Sequence, residues 1–253
     1  MVAKTGKEKS ILREGGRKLA VIMQEVAQAV HPGVSAKDLD SLAERLILSC
    51  GGRPSFKGYA SKEGRVYPAT LCVSVNDEVV HAIPSSKKIL FSGDIVSLDL
   101  GMWYQDLSTD MAVTVVVGEA DSKAKKLIKV TFEALEKGVH AALPGKTTGD
   151  IGYAIEKTAR SSKFGVVKEL GGHGVGQAVH EEPMIPNYGS PGEGEEIVEG
   201  MVLAVEPMFS LGSGEVKEMS DGWTWVTMDG SLAAHFEHTI LVTEHGAEIL
   251  TKT

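Results

Sequence analysis

"GDIVSLDLGMWYQDLSTDMAVTVVVG", residues 93–118, reads as two apolar strands joined by a polar turn, each carrying one carboxylate. Side chains alternate between the two faces of a strand. Val96, Leu98 and Leu100 therefore share one face of the first strand, and Ser97 and Asp99 take the other. In the second strand Met111, Val113, Val115 and Val117 line one face, with Asp110 opposite beside Ala112 and Thr114. A hairpin centred near Tyr104–Gln105 sets Asp99 and Asp110 on facing strands and on the same side of the sheet. Two acids brought together inside an apolar hairpin call for a counter-charge.

The rest of the chain repeats this plan. Leu19, Ile22, Val26 and Val30 recur at helical spacing, and "HPG" stops that helix. Ser35 with Asp38 three residues on is a capping-box pattern opening the next helix, which a glycine pair closes. Strand-like segments follow at about 70–83, 94–100 and 109–117. In the second half "LPGKTTGDIGYAIEKT" (143–158) resembles "HPGVSAKDLDSLAERL" (31–46), and "VHEEP" (179–183) resembles "VHAIP" (80–84). "GMVLAVE" (200–206) resembles "GDIVSLD" (93–99), and "EHTILVT" (237–243) resembles "DMAVTVV" (110–116). The matches keep one order and set His81 on His180, Asp99 on Glu206 and Asp110 on Glu237. They predict an α/β protein of two related halves, roughly 8–118 and 120–250, within one domain spanning 1–253.

Strand alternation places Glu206 opposite Met201, Leu203 and Val205, and Glu237 opposite Phe236, His238, Ile240 and Val242. Four carboxylates then converge on one cavity. Clustered like charges in a partly dry site are strongly unfavourable, and two divalent cations cancel a formal charge of −4. Carboxylates bridging two metals form a known hydrolytic arrangement. "GGHGVGQAVHEEP" adds His173 and His180, but its glycines argue against a helix, so a bend must separate the two histidines. His180 pairs with His81 in the repeat, whereas His173 pairs roughly with Ser74. His173 is therefore the expected fifth metal ligand, and His81 and His180 a flanking pair able to touch substrate and shuttle protons. His31, His140, His235, His238 and His245 lack such context and are expected to be structural.

Composition narrows the class. The chain has 253 residues, is 42% hydrophobic and carries a formal net charge of −8, which argues against a protein that coats nucleic acid. Two cysteines, Cys50 and Cys72, make no disulfide framework. The charged N-terminus lacks a signal-peptide core, and no stretch approaches the roughly 18 apolar residues of a membrane span. A cytoplasmic globular protein is expected.

Asp99, Asp110, His173, Glu206 and Glu237, in that order and context, resemble the methionine aminopeptidases of the pita-bread fold. "VNDEVVHAIP", "SLDLG", "STDMA", "GGHGVG", "HEEP", "AVEP" and "FEHTILVT" are similar to that family's motifs, and the likeness runs from about residue 8 to 250. It implies a curved antiparallel sheet backed by helices around a central dinuclear metal site. Asp110 and Glu237 would bridge the ions (cobalt, manganese, iron or zinc), with Asp99 on one and His173 and Glu206 on the other. Metal-activated water would attack the first peptide bond after an N-terminal methionine when the second residue is small. Glu206 would carry the proton, and His81 and His180 would contact substrate. By position Cys72, Tyr67 and Trp223 resemble the lining of the methionine pocket, and a sulfur or aromatic wall suits a thioether.

Only 25 residues separate His180 from Glu206, matching the short, bacterial-style first type. Departures are Val179, where relatives carry a large aromatic, "HAIP" for "HGIP", and an altered loop between Gly58 and Pro68. Ala233 stands where a hydroxyl would help hold a monovalent cation near Asn76. The rival readings are an X-Pro aminopeptidase or prolidase, and a binding protein on the same fold. Expected partners are peptides with N-terminal methionine and nascent chains, with transient ribosome contact compatible with such substrates. No membrane or dedicated nucleic-acid surface is expected, and the chain is expected to be a monomer.

Overall fold

The computed structural model describes residues 1–61 and 64–253, so Lys62 and Glu63 of the altered 58–68 loop lie outside the described residues. Among the described residues four helices form where apolar periodicity and caps agree: α1 (Gly6–Gln28), α2 (Ala36–Ser49), α3 (Ser122–Ala141) and α4 (Thr148–Ser162). At the start of α2 the Ser35 hydroxyl accepts from the Asp38 amide at 3.1 Å, and Asp38 accepts from the Ser35 amide at 3.4 Å. At the matching start of α4, Asp150 accepts from the Thr147 amide at 3.0 Å. Both caps occupy helix ends that would otherwise leave amides unpaired.

The loops before these two helices are built alike. Gly33 and Gly145 both turn the chain at positive φ, 92° and 79°, which only glycine adopts cheaply. Around them Gly33 N–H donates to Leu90 O (2.8 Å), Leu90 N–H to Val34 O (2.9 Å) and Ala36 N–H to Lys88 O (2.8 Å). In the second half Gly145 donates to Ile197 (2.9 Å), Ile197 to Lys146 (2.7 Å) and Thr148 to Glu195 (3.0 Å). The same three bonds thus recur at the positions the repeat aligns.

Nine strands of the described residues form one antiparallel sheet. Its centre runs Ile95–Tyr104, Leu107–Val116, Glu237–Thr243, Val202–Val205, Gly171–Gly174, with Leu71–Val75 pairing back onto Ile95–Tyr104. The halves meet where Glu237 pairs with Ala112 and His238 with Met111. One face of the first-half strands (Val96, Leu98, Leu100, Met111) packs on Leu19, Met23 and Val26 of α1 and Leu39 and Ile47 of α2. The second-half face (Leu203, Val205, Phe236, Ile240, Val242) packs on Leu127 and Leu135 of α3 and Ile151 and Ile155 of α4. Each such aliphatic side chain contributes about 1.5–3 kcal/mol by burial, so helices on the back fix which way the acids on the other face point.

Two expectations are corrected here. The segment at 70–83 is two strands, Leu71–Val75 and Glu78–Val80, because Asn76 turns the chain at φ 59°. The hairpin turns at Gln105–Asp106 rather than Tyr104–Gln105, both at positive φ, with Tyr104 opposite Leu107. Asp99 therefore faces Ala112, and Asp110 faces Gly101. A shift of two registers leaves both acids on the same face, as diagonal neighbours.

Candidate metal centre

The polar face of the sheet lines a cavity of about 340 Å³. Asp99 and Asp110 enter it from the hairpin, Glu237 from the first position of its strand, Glu206 from just past Val205, and His173 from Gly171–Gly174. His173 pairs with Ala204, as Ser74 pairs with Ser97 in the first half, the positions the repeat aligned. The expected bend between His173 and His180 is the connection from Gly171–Gly174 to Glu181–Pro186, and it brings the two rings to 4.5 Å between centroids. His81, held at a left-handed φ of 57°, also lines the cavity. Such a conformation costs about 1–3 kcal/mol in a non-glycine residue and persists only where its surroundings enforce it.

Burial sets the electrostatics. Asp99, Asp110 and Glu237 are at most 6% exposed. Burial, then repulsion from Glu206, pushes the Asp99 carboxyl up to about 8. Burial and neighbouring acids likewise raise Asp110, Glu206 and Glu237 well above the usual carboxylate range. Burial, with His180 close by, depresses His173 to about 3 and His81 to about 4, so both imidazoles are neutral. Among the described residues, Asp99 Oδ1, Asp110 Oδ1 and Glu237 Oε1 are buried without a hydrogen-bond partner. An orphaned buried acceptor costs about 1–3 kcal/mol, more when charged. Asp110, His173 and Glu237 offer ligand atoms that all lie within 4.8 Å of one another. Neutral imidazole and unpaired carboxylate oxygens at that separation fit a divalent cation.

The cavity continues into an apolar pocket. Tyr67 and Cys72 are buried there with Phe56, and the Tyr67 and Trp223 rings meet edge to face at 5.2 Å. Asp221 accepts from the Trp223 and Thr224 amides, both at 2.9 Å, which fixes the loop carrying the indole. Val179 packs into the same apolar cluster.

A model of metallopeptidase family M24 matches residues 10–244. The chain belongs to metallopeptidase family M24. This peptidase is 46% identical over 252 residues to methionine aminopeptidase 1 of Bacillus subtilis, covering 100% of this chain and 99% of that one. It is 44% identical to the methionine aminopeptidase of Aquifex aeolicus, covering 95% of each. The crystal structure of methionine aminopeptidase from Thermotoga maritima superposes with a TM-score of 0.95 at 46% identity, covering 100% of both chains. The prolidase of Pyrococcus furiosus shares the fold alone, with a TM-score of 0.80 at 24% identity over 66% of its length. The M24 peptidase thus has the pita-bread fold, and its family and its buried acidic cluster make it metal-dependent.

Sequence reasoning missed several residues of this site in the peptidase. His235, expected to be structural, is 1% exposed, and its Nε2 lies 3.3 Å from Glu206 Oε2. Its position two residues before Glu237 was the available signal. Tyr59, inside the altered loop, bonds His180 Nδ1 through its hydroxyl at 3.0 Å, and Ser61 also reaches the cavity. Neither had a repeat partner to mark it. Ala233 donates its amide to Asn76 O at 2.8 Å and brings no hydroxyl there.

Proposed function

We propose that this peptidase removes the N-terminal methionine from peptides and newly made proteins whose second residue is small. The observation carrying the reading is one cavity in which the acidic cluster, His81 and His180 adjoin an apolar pocket walled by Tyr67, Cys72 and Trp223. Full-length relatives named methionine aminopeptidase add support.

In this reading Asp99, Asp110, His173, Glu206 and Glu237 would hold two divalent ions (cobalt, manganese, iron or zinc). Bound there, the metals supply Lewis-acid polarisation of the scissile carbonyl and a water acidic enough to attack it at neutral pH. The Tyr67, Cys72 and Trp223 walls receive the methionine side chain and so bring the first peptide bond to the acidic cluster. His180, its Nδ1 engaged by Tyr59, keeps Nε2 for substrate. With His81 it steadies the charge that develops on the carbonyl oxygen. Glu206 takes the proton from water and returns it to the departing amine as the C–N bond breaks.

We read residues 1–253 as one catalytic domain of two related halves, acting as a monomer on nascent chains in the cytoplasm, with transient contact at the ribosome. No helix among the described residues is long and apolar enough to cross a membrane.

The test is to strip the protein with chelator, restore manganese or cobalt, and assay release from Met-Ala-Ser, Met-Lys-Ser and Ala-Pro-Ser. Metal-dependent release of methionine from Met-Ala-Ser alone is expected. Cleavage of Ala-Pro-Ser instead would move the protein to the X-Pro branch, and no cleavage under either metal would sink the reading.

A further inference from the structure

We propose that His235 is a positioning residue of the metal centre, holding one oxygen of Glu206 so that the other is presented beside His173. The proposal rests on Glu206 being a metal ligand, as assigned above.

Glu206 lies between two imidazoles, one at each oxygen. Oε1 is 3.4 Å from His173 Nε2, and Oε2 is 3.3 Å from His235 Nε2. If Oε2 is held by an N–H, Oε1 is the oxygen left to chelate on the same side as His173. At 3.3 Å the two atoms lie just beyond the usual range of about 2.7–3.2 Å for an N–H···O bond, and the proposed arrangement closes them to that range.

His235 has no other use that its surroundings reveal. Neither ring nitrogen has a hydrogen-bond partner among the described residues, although the ring is almost wholly buried. A buried imidazole in a purely packing role normally pairs at least one nitrogen, so an orphaned one 3.3 Å from a carboxylate oxygen calls for an explanation. Ligand carboxylates are commonly oriented by such outer hydrogen bonds.

The ring is also placed by the other half of the molecule. The His235 amide donates to Thr114 Oγ1 at 2.9 Å, and that hydroxyl donates to the His235 carbonyl at 2.7 Å. Ser97 Oγ backs Thr114 at 2.8 Å. A chain of contacts therefore runs from the first-half hairpin through His235 to a carboxylate of the second half, making Glu206 orientation depend on how the halves are docked.

Manganese would be titrated by calorimetry into chelator-stripped wild type, His235→Leu and His235→Gln. The cobalt absorption spectrum of each loaded protein would be recorded, and kcat and KM measured separately. His235→Leu should bind manganese about 10–100-fold more weakly, as loss of an outer hydrogen bond to a ligand does, with an altered cobalt spectrum and a kcat loss exceeding any change in KM. His235→Gln, whose amide N–H can still reach Glu206, should restore most of the affinity. Unchanged affinity in His235→Leu, or a glutamine variant as weak as the leucine one, overturns the proposal. A measurement on the unaltered protein guards against misfolded variants. Nitrogen NMR of wild type should show His235 protonated at Nε2, and protonation at Nδ1 alone overturns the proposal. Wild type that binds no manganese at all would instead bring down the metal-centre assignment itself.

Discussion

The Thr239 hydroxyl receives the Asp110 amide at 2.8 Å and donates its own proton to the Asp110 carbonyl at 2.7 Å. Four residues along, Thr114 makes the same double contact with His235. The two clamps flank the Glu237–Ala112 pair where the halves join. At both rungs a threonine side chain stands in for the direct backbone bonds of an antiparallel ladder, and each fixes the backbone of a residue facing the acidic cluster.

Thr239→Val keeps the shape of the side chain and removes both contacts, stranding a buried amide and a buried carbonyl of Asp110. The variant should lose about 2–4 kcal/mol of stability, from roughly 1–3 kcal/mol per orphaned group. Urea unfolding measures this, and a change under about 0.5 kcal/mol would show that the clamp is dispensable.

Metal should stabilise the fold as well as activate it, because the orphaned carboxylate oxygens gain partners only when a cation is present. Manganese at a hundred times its dissociation constant should add about 2.7 kcal/mol. Thermal unfolding with and without chelator checks this, and an unmoved midpoint at saturating metal would refute it.

Trp223→Ala removes one wall of the apolar pocket. A fully buried methionine side chain gains about 1.5–3 kcal/mol, and losing half of that lowers kcat/KM for Met-Ala-Ser roughly 3- to 12-fold. The metal centre should be untouched, so manganese affinity should equal that of wild type. Equal kcat/KM in both proteins would move the methionine site elsewhere.

Asp40 is buried and accepts the Thr70 and Leu71 amides on one oxygen, at 2.8 and 3.1 Å, while Lys37 reaches the other at 2.8 Å. It thereby ties α2 to the strand carrying Cys72. Asp40→Ala should cost about 2–4 kcal/mol in chemical denaturation, since bonds to a charged acceptor are worth about 1.5–3 kcal/mol each but part is recovered by relaxation. A loss below about 1 kcal/mol would contradict this.

Arg13 of α1 grips Glu248 with two bonds of 2.8 Å, and that hydrogen bonding holds the Glu248 carboxyl below its ordinary value of 4.5. A depressed folded-state value gives stability present above the unfolded value and lost as pH falls through the folded one. Glu248→Gln should therefore cost under about 1 kcal/mol at pH 7, the pair being partly exposed, and nothing near pH 2. A cost that persists at pH 2 would mean packing rather than charge is responsible.

Local pattern and repetition made much of this protein legible in advance. Alternation along 95–100 and 110–117 assigned Asp99 and Asp110 to one face without any knowledge of the partner strand, because a strand's period is two and a slip of two registers preserves it. The same alignment set His173 on Ser74, and both occupy the rung next to their half's central strand. The cap at Ser35 was visible because capping is a three-residue interaction; the one at Thr147 emerged only with the structure.

What the sequence by itself determined was therefore what depends on near neighbours: helix starts, strand faces, the order of the acids and the likeness of the halves. Only the tertiary structure decided what depends on distant ones. The turn fell at Gln105–Asp106, setting Asp99 across from Ala112 and diagonal to Asp110. Tyr59 met His180 across 121 residues, and Thr114 met His235 across the same span. His235 looked like any other histidine until the halves closed and left its ring facing Glu206. Periodicity carries no term for such pairs, because the energy that makes them, burial of one half's surface against the other, is gained only when the whole chain has folded.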